Sequence, residues 1–198
     1  MNRNVRMAAA LLFVIVGTAA TLASKEPAAR QTGKESFTGF AINMNAGPNT
    51  ATVDFTIERW STDAQRAQLL GIVKQERDAY EANRQLLKAL TSLPVVGTIR
   101  TQRTLAWDLH YARQSPLEDG GRRLVLATDR PVGLNEPMRQ ARTMEYPFTI
   151  VEIHLDTNNR GEGKILVATK LFIDKNNNLV LENYANEPVA FNDIKPLK

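Results

Sequence analysis

The sequence predicts an α+β fold made mainly of antiparallel β-sheet, open or closed into a barrel, with about eight strands. Three observations predict it. Short runs that alternate apolar and polar residues recur along residues 36–198, with turn residues between them. One helical pattern, in residues 61–94, is inserted after the second strand and predicts one long or bent helix. Because helical sequence separates only one pair of strands, the repeated βαβ pattern of a parallel sheet is not expected.

The amino-terminal residues have the pattern of a secretory signal peptide. Arg3 and Arg6 precede an uncharged apolar stretch, residues 7–22, and small residues allow cleavage after Ala23. An uncleaved membrane anchor is the alternative, although the stretch is short for a spanning helix and rich in alanine, glycine and threonine. We therefore expect export through the secretory pathway, to the periplasm or outside the cell.

Three parts follow from this division: a signal peptide at residues 1–23, a flexible leader at residues 24–35, and a single globular domain at residues 36–198. Loss of the signal peptide lowers the net charge from +4 to +2, which is too weak a field to predict binding to nucleic acid or to a membrane surface. The chain contains no cysteine, so disulfides, thiol catalysis and thiolate metal sites are excluded.

The first two predicted strands form a hairpin. Residues 36–44 and 50–60 flank the turn sequence NAGPN, and Val53, Phe55 and Ile57 alternate with polar residues in the second strand. This alternation is typical of a strand with one buried face.

The helical segment begins at a residue that can cap it and ends before a proline. Ser61 or Thr62 can accept hydrogen bonds from the first free amides, and Pro94 stops the pattern. The central sequence KQERD is polar all round, and Gly71 weakens the first part. Two helices therefore remain an alternative to one bent helix.

After the helix the chain returns to strands. They are predicted at residues 95–102, 104–112, 120–129, 148–156, 163–174 and 179–185, followed by the apolar Val189 and Phe191. The long irregular connection at residues 130–147 contains three prolines. It is a candidate binding loop, because long loops on small domains are often functional, and an ordered strap over the sheet is the alternative.

Both histidines of the chain follow a carboxylate and one apolar residue. Asp108 and His110 lie in one predicted strand, and Glu152 and His154 lie in another. If the strands were adjacent, these side chains would lie about 5 Å apart on one face and could share a metal ion or perform acid–base chemistry. They are weak candidates for a catalytic site.

The period of two places both histidines opposite the apolar face of their strands. In the first strand that apolar face consists of Leu105, Trp107, Leu109 and Tyr111. Since the second face of an antiparallel sheet is commonly solvated, we expect both histidines on the surface.

Four further residues are candidates for ligand binding: Trp60, Trp107, Arg122 and Arg123. Tryptophans are more often packing residues than ligand platforms, and the arginine-rich stretch also carries many acids. Adjacent residues of a strand face opposite sides, so one arginine of the pair is expected to point inward. The turns after Asp156 and Asp174 lack the final carboxylate of a calcium loop and predict hairpins, and no cofactor is predicted.

The strand-to-helix step RWSTDAQR, residues 59–66, resembles uncharacterised secreted bacterial proteins, and this resemblance implies no activity. No recognisable nucleophile motif is present. We expect a non-catalytic secreted or periplasmic domain that binds a protein or small-molecule partner, without nucleic acid and, after signal cleavage, without membrane. The alternatives are a metal-assisted hydrolase and a lipocalin-like carrier whose closed barrel holds an apolar ligand. A cavity lined by both tryptophans would favour the carrier. The oligomeric state is left undetermined.

Overall fold

The computed structural model describes residues 33–43, 49–75, 78–102, 105–130, 148–166, 169–173, 179–183 and 189–197. The predicted signal peptide, the leader up to residue 32 and residues 131–147 of the candidate loop lie outside these ranges. The described elements are β1 (Glu35–Asn43), β2 (Asn49–Ile57), α1 (Asp63–Gln75), α2 (Ala79–Ser92), β3 (Gly97–Thr101), β4 (Trp107–Pro116), β5 (Arg122–Thr128), β6 (Thr149–Leu155), β7 (Gly161–Leu166), β8 (Thr169–Ile173), β9 (Leu179–Asn183) and β10 (Val189–Pro196).

Eight strands form a closed antiparallel barrel. Their order around the barrel is β1-β2-β3-β4-β5-β6-β7-β10, and β10 pairs with β1. Strands β8 and β9 form a separate two-stranded sheet, so the strand predicted at residues 163–174 is in fact two strands. Closure gives every barrel strand two partners and leaves no edge. The mainly antiparallel, barrel-like fold is confirmed.

The helical segment after β2 forms two helices, which corrects the expectation of one long or bent helix. Asp78 has an extended backbone, and its carboxylate accepts a hydrogen bond of 2.8 Å from the Glu81 amide. This N-cap starts a new helix inside the polar KQERD sequence. Thr62 caps α1, through reciprocal hydrogen bonds with Gln65. Among the described residues, neither helix is long and apolar enough to cross a membrane.

Large side chains fill the interior of the barrel. The rings of Phe37 and Phe55 stack with centroids 5.0 Å apart, and Phe191 meets Phe55 edge-on at 6.1 Å. A Cβ at Gly39 would lie 2.7 Å from the Phe191 ring, so glycine makes room for it. The interior of an eight-stranded barrel is just wide enough for such packing. The largest fully buried side chains are Phe37, Phe55, Phe191, Ile57, Ile99, Leu109, Leu124, Leu126, Ile153, Leu155, Ile165 and Ile194.

A second apolar cluster lies on the outer wall of the barrel, under the two helices. Its buried members are Leu86, Leu90, Leu93, Tyr111, Ala127, Phe148, Ile150 and Leu166. Helix α2 contributes the buried Leu86 and Leu90, whereas Leu70 is the one buried side chain of α1. The wall therefore holds α2 more firmly than α1.

A β-bulge in β4 changes which residues face the interior. Leu109 pairs with Thr128 and Tyr111 pairs with Ala127, so His110 is an extra residue. Beyond it Ala112 joins the interior cluster, and Tyr111 joins the outer cluster. The expected apolar face of Leu105, Trp107, Leu109 and Tyr111 is thus wrong at both ends. The bulge reverses the alternation before Tyr111, and Leu105, which precedes the strand, is 88% exposed.

Candidate functional site

An apolar cavity of about 50 Å³ lies between the two helices and the outer wall of the barrel. It forms where the outer cluster leaves space beneath α1. Every residue that lines it is apolar except Arg66 and Tyr111. The apolar lining residues are Leu69, Leu70 and Val73 of α1, Leu86 and Leu90 of α2, and Val125, Ala127, Phe148 and Ile150 of the wall.

Arg66 and Tyr111 are the lining residues that carry polar groups, and nearly all of the surface of the cavity is apolar. In the part of the chain that the structure describes, the Arg66 guanidinium has no ion-pair partner and the Tyr111 hydroxyl has no hydrogen-bond partner. Burial raises the pKa of Tyr111, while the charges of Arg113 and Arg66 act in the opposite direction. Arg113 is itself paired with Asp63, at 2.6 Å. The hydroxyl is therefore a protonated donor at neutral pH.

Glu152 and His154 lie on the outer face of β6, in a hydrogen-bonded chain with Arg123. Arg123 Nε donates to Glu152 Oε1 at 2.6 Å, and His154 Nε2 lies 3.2 Å from the same oxygen. The two β6 residues also line an open cleft of about 580 Å³. Directly across β7, Lys164 pairs in register with Glu152 and Glu162 pairs with His154. The acidic and basic side chains of this exposed cleft therefore lie next to one another.

His110 is buried, so the expectation that it faces solvent is wrong. Its Nδ1 lies 3.0 Å from the carbonyl oxygen of Leu93, the C-cap of α2, and its Nε2 lies 3.7 Å from Asp129 Oδ2. The bulge turns this ring beneath the end of the helix. Asp108 is exposed and lines a separate cleft of about 160 Å³ with Trp107 and Asp129. His110 therefore ties α2 to the barrel.

The two histidines are not brought together. Strand β5 lies between β4 and β6. His110 is level with Ala127, whose β6 partner is Ile150, whereas His154 pairs with Arg123. Two strand spacings and four residues along a strand amount to roughly 16 Å. The adjacency required for a shared site is absent, and the described residues contain no group of three histidines or acids that could hold a metal ion.

The two adjacent arginines face opposite sides of the barrel wall, as expected. Arg122 points inward, where its Nη1 donates to Glu35 at 3.1 Å and to Gln114 at 2.8 Å, and its Nη2 donates to Asn159 at 2.7 Å. Its guanidinium also lies 5.8 Å from the centre of the Phe37 ring. Through these contacts the Arg122 side chain fills and closes this end of the barrel.

Both tryptophans pack against the interior cluster. Trp60 is buried within it, and Trp107 is partly buried against it. The segment that carries Trp60 is held by Ser61, which exchanges two hydrogen bonds with the backbone of Ala112. Trp107 lines the cleft beside Asp129, and Trp60 lines none of the three cavities described here. None of these three cavities is therefore the cavity lined by both tryptophans that would favour an interior carrier.

The sequence alone does not single out Arg66 or Tyr111 as functional residues. Arg66 precedes Leu69, Leu70 and Val73 at spacings of three, four and seven, which places a charge at the end of an apolar helical stripe. This position is the one feature of the sequence that could have indicated Arg66 as a functional residue. For Tyr111 there is none, because its place on the outer wall follows from the bulge.

No family model matches this chain, and neither a curated protein nor a solved structure matches it. Function is therefore inferred from the geometry of the chain itself.

Proposed function

We propose that this protein is a non-catalytic domain that binds a small molecule with an apolar body, in the cavity between the helices and the barrel wall. One observation carries the proposal: the cavity is lined by apolar residues apart from Arg66 and Tyr111. Unfilled space in an apolar cluster forfeits dispersion contacts, and a ligand that fills it restores them. The signal-like residues 1–23 support action in the periplasm or outside the cell.

The barrel interior is the weaker candidate for this role. Large side chains such as Phe55 and Phe191 occupy it and are 1% and 0% exposed. Trp60 and Arg122 occupy space at one end. We therefore propose that an apolar ligand is carried at the outer wall, in the cavity under the helices, and not in the barrel interior.

The size of the cavity limits what enters without movement. At about 50 Å³ it is smaller than a cavity of ~150 Å³ that admits benzene. A longer ligand requires one wall to shift. Of the two helices, α1 is the less firmly held, since Leu70 is its one buried side chain, whereas His110 and two buried leucines hold α2. We propose that α1 moves outward when a ligand enters.

A series of neutral alcohols, from butan-1-ol to octan-1-ol, tests the proposal. We expect methyl NMR signals of Leu69, Leu86 and Val125 to shift on titration. The dissociation constant should fall about fourfold for each added methylene, because each buried methylene contributes about 0.8 kcal/mol, until the cavity is full. Filling the site with Ala127→Leu should abolish these shifts.

The matched control is Ala190→Leu, which adds the same atoms to the outer face of β10, away from the cavity. It should bind like the unchanged protein, and thermal unfolding confirms that both variants fold. If affinity does not depend on chain length in the unchanged protein, or if the shifts lie elsewhere, the proposal is wrong. The chain-length series does not depend on the folding of any variant.

A further inference from the structure

We infer that the ligand carries a carboxylate head group, which the Arg66 guanidinium and the Tyr111 hydroxyl bind at the rim of the apolar cavity. The inference rests on the proposed function and specifies its ligand class: a short acyl or aryl chain that ends in a carboxylate.

The position of Arg66 is the first reason. Two neighbouring arginines on this wall each have a carboxylate partner: Arg113 with Asp63 at 2.6 Å, and Arg123 with Glu152 at 2.6 Å. Arg66 lines the apolar cavity and has no such partner among the described residues. A guanidinium presents planar, parallel donors that match a carboxylate, and the pair is stronger where water is partly excluded.

The hydroxyl of Tyr111 is the second reason. Tyr111 is 8% exposed and lines the same cavity, and its hydroxyl makes no hydrogen bond within the described part of the chain. Burial, the largest effect, raises its pKa, so it can donate to a carboxylate oxygen.

Charge balance around the hydroxyl is the third reason. The groups whose charges act on Tyr111 are Arg113, Arg66, Asp63 and Arg123. Arg113 and Arg123 are each paired with a carboxylate, whereas Arg66 has no such partner among the described residues. The single positive charge left over favours a monoanion, and the apolar lining behind it favours an apolar tail.

Octanoate and octan-1-ol, which share a chain and differ in the head group, test the inference by calorimetric and NMR titration. We expect octanoate to bind at least about tenfold more tightly at low salt, the scale of one charge-assisted pair. Arg66→Gln should remove this preference, so that octanoate and octan-1-ol bind this variant with equal affinity. Tyr111→Phe should weaken octanoate binding at least about tenfold, the scale of one hydrogen bond to a charged group. Arg84→Gln is the control, since Arg84 pairs with Glu81 on α2 and does not line the cavity.

The outcomes separate the two proposals. Equal affinity of the unchanged protein for octanoate and octan-1-ol, or a preference for octanoate that survives Arg66→Gln, overturns the carboxylate inference while the binding function stands. Failure of both compounds to bind overturns the proposed function itself. If a variant unfolds, the comparison of the two compounds on the unchanged protein, and the loss of the octanoate preference in salt, still decide the question.

Discussion

Arg122 shows what one residue contributes to closing the barrel. Its side chain and that of Glu35 are 20% and 18% exposed, and they come from β5 and β1, which are not neighbours in the barrel. The pair therefore bridges the barrel across its interior. Arg100 and Asp54 form a pair between adjacent strands, in which Arg100 is 60% exposed. Burial and partner number, more than charge, distinguish the two pairs.

We expect Arg122→Met to lower the free energy of unfolding by about 2–3 kcal/mol, because it removes hydrogen bonds from a charged guanidinium to the Glu35 carboxylate and the Gln114 amide in a partly buried place. Arg100→Met, the matched control, should cost less than about 1 kcal/mol. Urea unfolding followed by tryptophan fluorescence measures both.

The double variant Arg122→Met/Glu35→Leu separates the loss of the Arg122–Glu35 charge pair from the loss of packing. It should recover more than half of the stability lost in Arg122→Met, because neither member of the charge pair is then buried without the other. Equal losses in Arg122→Met and Arg100→Met would show that the bridge does not matter for stability.

The turn between β6 and β7 is an element fixed by one carboxylate. Asp156 Oδ1 accepts hydrogen bonds of 2.8 Å from the amides of Asn158 and Arg160. Asn159 has a φ of 60°, a left-handed conformation that asparagine tolerates. The sequence that imitates a calcium loop is therefore a hairpin turn, as expected. Hydrogen bonds, first from the Arg160 amide, lower the pKa of Asp156.

This lowered pKa makes the turn sensitive to acid. Because the folded-state pKa lies below the unfolded one, the carboxylate stabilises the fold fully at neutral pH. The contribution begins to fall near the ordinary carboxylate pKa, about 4, and is lost below the folded-state pKa. We expect the melting temperature of Asp156→Asn to be lower than that of the unchanged protein at pH 7, and the gap to narrow at pH 2. A gap that is constant or grows in acid would contradict this.

Element boundaries also decide which groups meet in the candidate site. The bulge at His110 sends Tyr111 to the outer wall, and the Asp78 cap divides the helical segment. Together they place Tyr111 and Arg66, the arginine of α1, at one cavity. Each feature depends on a short stretch of the chain, whereas the position of Tyr111 and Arg66 at one cavity depends on how α1 packs against the barrel.

At the scale of the whole molecule, the barrel and its helical cover differ in how they are held. Every barrel strand has two hydrogen-bonded neighbours, and the filled interior couples all eight strands. Helix α1 contacts the rest mainly through a half-buried apolar stripe. Opening α1 therefore exposes far less apolar surface than opening the barrel.

We accordingly expect hydrogen–deuterium exchange in residues 63–75 to be at least about tenfold faster than in residues 122–128 and 149–155. The strand amides should exchange only through global unfolding, whereas the α1 amides exchange through local opening. Mass spectrometry of proteolytic peptides measures both. Addition of octan-1-ol should slow exchange in α1 alone. Protection of α1 equal to that of the strands would mean that this helix is not the movable wall.

The sequence determined most of the elements because their signals are local. Alternation of residues such as Val53, Phe55 and Ile57 marks a strand with one buried face, and this face lies in the barrel. The Thr62 cap and the adjacent inward and outward arginines follow from equally short patterns. The absence of cysteine leaves packing, without disulfides, to hold these elements together.

Only the tertiary structure decided closure, the side on which His110 lies, and the residues that surround the cavity. A bulge shifts the alternation by one residue and depends on how β4 pairs with β5, so a period of two along β4 cannot reveal it. The space beneath α1 arises where the helical layer and the wall fail to fill each other, a property of two distant segments in contact. For this reason the sequence predicts a barrel-like fold, while the place and chemistry of its site follow from packing.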